Sequence, residues 1–248
     1  DQMQAKALAN ALFGDGGAPA RDCPLNQGFT RDPGLTRRAV PESRAWPPEL
    51  DGVPLDKHGR FRLDRRKVFS IAERAIRTPE DRWAAAQLHC AVAIWGAHPG
   101  RDMKRALRPL ADPAAPERLT EALKVVRGEG PTSAYRALAR KPLGRLYISG
   151  LGASFFTKCL YFGGWDSKPL VGQPLIMDDR VVDSLAALTK ESWSKDEVGD
   201  YSRYLDLARD IAHEAETTED VVEWRLWQPS EDELDDSEAE LDDDELLD

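Results

Sequence analysis

The sequence predicts an all-α protein of two lobes, and three observations carry that expectation. Apolar residues recur at helical spacing through most of residues 63–230, and no stretch alternates apolar and polar side chains as a half-buried strand would. The helical segments are also short and numerous, more than one packing centre serves. At 248 residues the chain is long enough to bury a core of this kind.

Taken in order, a short leading helix over 2–12 gives way to a segment rich in turn formers. Residues 13–62 hold seven prolines and seven glycines, so 1–62 reads as an irregular N-terminal segment. Periodic structure starts at DRRKVFSIAERAIR, where Asp64 caps a helix whose apolar stripe is Val68, Ile71, Ala72, Ala75 and Ile76. TPEDRWAAAQLHCAVAIWG supplies Thr78 as a cap, Pro79 at the first helical position and Gly96 as the stop. Further helices are expected near 116–127, 131–140, 142–149, 153–163, 178–190, 197–214 and 218–227. The helical domain then spans 63–230, and 231–248, EDELDDSEAELDDDELLD, is expected to be a disordered acidic tail.

That tail changes the meaning of the net charge of −10. It holds 12 of the 44 acidic residues and no Lys or Arg, leaving 34 basic against 32 acidic residues in the body, a net +2. A body of that charge is compatible with a polyanionic partner. The three cysteines, Cys23, Cys90 and Cys159, have no paired spacing, which excludes a disulfide scaffold, a zinc finger and a four-cysteine iron–sulfur cluster. A reducing, cytoplasmic compartment is expected. No apolar run reaches the roughly 20 residues a membrane span needs, and no signal peptide is evident at the start.

The chemistry centres on residues 143–163, LGRLYISGLGASFFTKCLYFG. Leu143, Leu146 and Tyr147 suggest a short apolar helix that meets Gly150-Leu151-Gly152, after which a second apolar helix begins. Glycines on both sides of Leu151 permit a tight turn and a close approach, and the first N–H groups of the second helix form a seat for phosphate. Downstream, within PLVGQPLIMDDRVV (169–182), residues 169–178 form a Gly/Pro loop ending in Asp178 at the mouth of a helix. This pairing resembles the helix-hairpin-helix, Gly/Pro-rich loop and aspartate superfamily of DNA glycosylases, and within it the bacterial proteins with an 8-oxoguanine DNA glycosylase fold. The match covers about 143–190, with weaker likeness at Trp95-Gly96 and at DVVEWRLW, 220–227.

The resemblance implies a two-lobed helix-hairpin-helix glycosylase fold, with Gly150, Gly152, Ser154 and Arg180 facing DNA and Lys158 and Asp178 as the catalytic pair. A lysine at its ordinary pKa of about 10.4 is protonated at neutral pH, and an apolar setting opposes that charge, one route to a Schiff-base nucleophile. Counted from the glycines, the usual lysine position is Ser154, and Lys158 lies four residues on, one helical turn or roughly 6 Å along the same face. Asp178 follows Lys158 by twenty residues, close to the usual interval, with Asp179 as its rival. The implied activity is excision of an oxidised purine, 8-oxoguanine foremost, with associated AP lyase activity. The implied partner is double-stranded DNA with a damaged, flipped base. The resemblance further implies chemistry without a cofactor and a monovalent cation between the hairpin carbonyls and phosphate.

Other residues admit two readings each. Cys159 is core or lines the base pocket; Trp224 and Trp227 pack the last helix, or one of them stacks on the extruded base. His89 and Cys90 read as satisfied core residues, and His98 as a loop residue within reach of substrate. The basic cluster Lys57, Arg60, Arg62, Arg65, Arg66 and Lys67 is either a solvated face or a path for the DNA backbone. The acidic tail is a solubilising extension, a recruiter of a protein partner, or a phosphate mimic that competes for the cleft. Two alternatives to 8-oxoguanine excision remain: removal of another modified base in foreign DNA, and a catalytically silent DNA-binding or interaction module.

Overall fold

The computed structural model describes residues 2–140, 143–167 and 172–228, so the acidic run 231–248 and part of the Gly/Pro loop lie outside the described residues. The fold is all-α apart from one small sheet. In chain order come α1 (Gln2–Phe13), α2 (Asp22–Leu25), β1 (Gly28–Arg31), α3 (Pro33–Ala39), β2 (Phe61–Asp64), α4 (Arg65–Arg77) and α5 (Ala84–Gly96). They are followed by α6 (Arg101–Leu107), α7 (Ala115–Glu129), α8 (Pro131–Leu138), α9 (Ala153–Gly164), α10 (Asp179–Thr189), α11 (Val198–Glu214) and α12 (Glu219–Trp227). Among the described residues no helix is long and apolar enough to cross a membrane.

The helices sort into two groups. α4 to α9 pack on one another, with α5 and α9 at the centre; α1, α10, α11 and α12 form a second group from the two ends of the chain. Sequence explains the inner positions: α5 buries eleven of its thirteen residues, and α9 is apolar on nearly every side, as a helix enclosed by others must be. A single cluster of buried apolar side chains runs through both groups. Arg65 of α4 and Glu223 of α12 also join them, fully buried, with Nη1 donating to Oε2 at 2.6 Å and Nη2 to Oε1 at 3.3 Å. Burial opposes the Arg65 charge, but the Glu223 carboxylate outweighs it and raises the Arg65 pKa. The guanidinium lies 5.2 Å from the Trp95 ring centre and 5.3 Å from that of Tyr161.

Three expectations need correction. The sheet was not foreseen: β1 and β2 pair antiparallel from Gly28 opposite Asp64 to Arg31 opposite Phe61, and four-residue strands, each carrying an arginine, are too short to show a period of two. Gly28 is required there, because a Cβ would lie 2.7 Å from the Asp64 Cα. Thr78 closes α4 rather than opening the next helix, since its hydroxyl donates to the Arg74 carbonyl at 2.9 Å, and α5 starts only at Ala84. Residues 143–149 form turns, not a helix. The Gly144 and Leu146 N–H groups are drawn back onto the end of α8, at the Ala139 and Ala137 carbonyls, and Arg118 binds the Tyr147 carbonyl. A Cβ on Gly144 would sit 2.1 Å from the Ala137 oxygen, so glycine alone permits this fold-back.

Candidate active site

α9 starts where the sequence places it, immediately after Gly150-Leu151-Gly152. Gly150 takes φ +84°, which glycine adopts freely, and Leu151 is buried as the plug beneath the turn. Gly152 is extended and exposed; its carbonyl accepts the Phe155 and Phe156 N–H groups, and a Cβ there would meet nothing within 4 Å. The turn opens onto a groove of about 750 Å³ lined by Arg105, Arg108 and Arg140 together with Asp196 and Glu197. Arg108 lies directly against Gly150, its Nη2 3.1 Å from where a Cβ would stand.

One turn into α9, Lys158 is 4% exposed and points toward α10. Its Nζ donates to the Asp178 carboxylate at 2.7 Å and to the Ser154 carbonyl at 2.9 Å. The amine is thus held in a nearly buried ion pair rather than left bare in an apolar helix, and Ser154 contributes its backbone to that hold. Asp178 caps α10, accepting the Val181 N–H at 3.3 Å. Burial alone would push the Asp178 carboxyl up; Lys158, its hydrogen bond and the Val181 N–H outweigh it and hold the pKa below the ordinary carboxylate value. Asp179 turns outward to pair with Lys195, so the aspartate on the lysine is Asp178.

The approach of loop to helix is fixed by residues that sequence reading passed over. Thr157, fully buried on α9, accepts the Met177 N–H at 3.1 Å while donating to the Ala153 carbonyl at 2.7 Å. The Tyr201 hydroxyl of α11 donates to the Leu175 carbonyl at 3.1 Å and faces its N–H at 3.4 Å. Residues 175 and 177 are therefore tied on two sides immediately before Asp178. A hydroxyl beside a lysine in an apolar helix was the only signal available for Thr157.

Lys158 lines a small pocket of about 130 Å³ together with Phe29, Arg31, Trp95, His98, Arg180 and Trp227, among others, so both helix groups contribute. Trp227 meets Phe29 edge-on with centroids 6.2 Å apart, and the exposed Arg180 guanidinium lies 5.2 Å from the Trp227 ring centre. Arg31, from the unforeseen strand β1, binds the carbonyls ending α5: Ile94 at 2.7 Å, Trp95 at 3.1 Å and Ala97 at 3.0 Å. Burial pushes its pKa below the ordinary value, but arginine stays charged in proteins. This brace sets Gly96 against the lysine, where a Cβ would fall 3.0 Å from Lys158 Cε.

Cys159 does not line this pocket. It is buried toward α5 with Sγ 3.3 Å from His89 Nδ1, while His89 Nε2 lies 3.0 Å from the Ala106 carbonyl. Burial lowers the His89 pKa to about 4 and raises Cys159 to about 12, the state of satisfied core groups. The basic cluster around residues 57–67 is also largely committed within the fold: Arg60 pairs with Asp56 and Arg66 with Asp22, Arg62 binds the Gly28 and Asn26 carbonyls, and Arg65 is buried on Glu223.

A buried lysine–aspartate pair at the mouth of a pocket, beside a glycine turn with arginines along it, can attack an electrophilic carbon while an anionic backbone is held close by. No curated protein and no solved structure matches the chain. Residues 22–227, which contain every site residue described above, match the model of the family described as "Putative 8-oxoguanine DNA glycosylase OGG-like protein", and the chain belongs to this family.

Proposed function

We propose that the protein is a DNA glycosylase of the helix-hairpin-helix and Gly/Pro-aspartate type that excises an oxidised purine, 8-oxoguanine foremost, and then nicks the strand as an AP lyase. The observation that carries this reading is the 2.7 Å contact of Lys158 Nζ with Asp178 at the edge of a pocket that Trp227 and Phe29 wall with aromatic surface. The flipped nucleotide enters that pocket at an unstacking cost of roughly a few kcal/mol. Lys158 Nζ, once its proton has passed to solvent, attacks the deoxyribose C1′; the C1′–N9 bond breaks and the base leaves with the electron pair, taking up a proton. Asp178, held as an anion by Lys158 and the Val181 N–H, orients the amine and stabilises positive charge at the sugar. Opening of the sugar ring gives an imine between Nζ and C1′, and loss of a C2′ proton expels the 3′ phosphate by β-elimination.

Gly150, Gly152 and the first N–H groups of α9 receive a phosphate beside Ser154. The carbonyls of Gly150 and Leu151 accept no hydrogen bond among the described residues and would hold a monovalent cation, whose charge would favour the phosphate there. DNA as substrate and three unpaired thiols suit a reducing, cytoplasmic setting. Excision from duplexes bearing candidate lesions, opposite each normal base, tests the reading. Release of 8-oxoguanine lost in Lys158→Gln is the expected result; release of a different base would revise the substrate, and tight DNA binding without release of any base would favour the silent module.

A further inference from the structure

We infer that the exposed face of α6 and the turn after it forms a track for the phosphates of one DNA strand, continuous with the glycine turn. The inference rests on the glycosylase reading for the identity of the polyanion as DNA. Arg101, Lys104, Arg105 and Arg108 recur at the three- and four-residue spacing that aligns side chains on one face, and all four are exposed, while Met103, Ala106 and Leu107 anchor the opposite face in the core.

These four cations stand side by side with no side-chain partner among the described residues. Most arginines of the fold are paired with carboxylates or bound to backbone carbonyls, the 57–67 cluster included. Among the described residues, the side chains of Arg101, Lys104, Arg105 and Arg108 make no ion pair and donate no hydrogen bond; Asp102, the one carboxylate on α6, pairs with none of them. Four adjacent unneutralised cations repel one another, and an external anion relieves that repulsion. Arg105 and Arg108 border both the groove at Gly150 and a second basic depression that reaches Arg101 and Ala39, so the charge is unbroken between the two. From Arg101 to Arg108 the helix rises about 10 Å, the axial rise of about three nucleotides at roughly 3.4 Å each. Asp196 and Glu197 also line the groove, and their charge repels phosphate from their part of it.

The test is a fluorescence anisotropy titration of the full chain with an undamaged 25-mer duplex from 50 to 200 mM NaCl. Each phosphate contact adds about 0.9 to the slope of log affinity against log salt, so Arg101→Ala/Arg105→Ala should flatten the slope by about 1.8. The loss of affinity across that range then shrinks about 12-fold relative to wild type. The matched pair Arg60→Ala/Arg66→Ala removes the same charge from committed residues and should leave the slope within about 0.5. A wild-type slope in the first variant, an equal flattening in the second, or no duplex binding by the wild-type protein would overturn the track. Flattening by the first pair alone, in a protein that excises no base, would sink the glycosylase reading and leave the track standing.

Discussion

Thr157→Val removes one oxygen and keeps the shape of the side chain. That oxygen holds the Met177 N–H at 3.1 Å, and both residues are fully buried. The valine leaves a buried N–H without a partner, a cost of about 1–3 kcal/mol. For a chain of this length each kcal/mol lowers Tm by about 2–4 °C, so the loss should read as roughly 2–12 °C. Thr157 touches no substrate; it positions the loop that delivers Asp178. If about 1.4 kcal/mol of the cost falls on that position, imine formation slows about tenfold. The assay is single-turnover borohydride trapping at saturating lesion duplex, beside a thermal melt and a DNA titration. Slower trapping with unchanged DNA affinity is expected. Unchanged trapping in a destabilised variant would refute the positioning argument, and unchanged trapping with unchanged Tm would refute the hydrogen bond itself.

Gly96→Ala should slow trapping about fourfold with little loss of Tm, because its Cβ meets the flexible Lys158 stem rather than backbone and shifts the amine by a few tenths of an ångström. Glu223→Leu strands the buried Arg65 charge and should cost about 3–5 kcal/mol in urea denaturation, whereas Arg65→Met/Glu223→Leu should recover most of it. Stability should also fall between pH 6.5 and 4. The unfolded chain protonates His89 near 6.5 while the folded protein resists until about 4, so the His89 contribution is complete above 6.5 and about 3 kcal/mol of it is gone by 4. His89→Gln should lack that component in denaturation followed across the same pH range.

The elements that sequence reading located well are those whose signals are local. Asp64 and Asp178 cap their helices through contacts three residues away, and the apolar faces of α4, α7, α10 and α11 repeat at 3.6 residues. The Lys158–Asp178 pair was reachable because a glycine turn and a Gly/Pro loop bracket it at a recognisable interval. What was missed depends on contacts distant in sequence. Arg31 acts on carbonyls 63 to 66 residues away, and nothing in GFTR announces that it will brace the end of α5. The 57–67 cluster and α6 look alike as basic runs; only the fold shows that Asp22, Asp56 and Glu223 reach the first and that, among the described residues, no carboxylate reaches the second. Residues 143–149 carry helix-compatible apolar spacing, but the end of α8 captures their N–H groups first.

The central claim is that Lys158 is the nucleophile although it stands one turn beyond the position Ser154 occupies. Borohydride reduction on an 8-oxoguanine duplex, followed by proteolysis and mass spectrometry of the cross-linked peptide, tests it most directly. The account predicts a reduced sugar remnant on Lys158, with no adduct in Lys158→Gln. An adduct on any other residue, or one that survives Lys158→Gln, would contradict it.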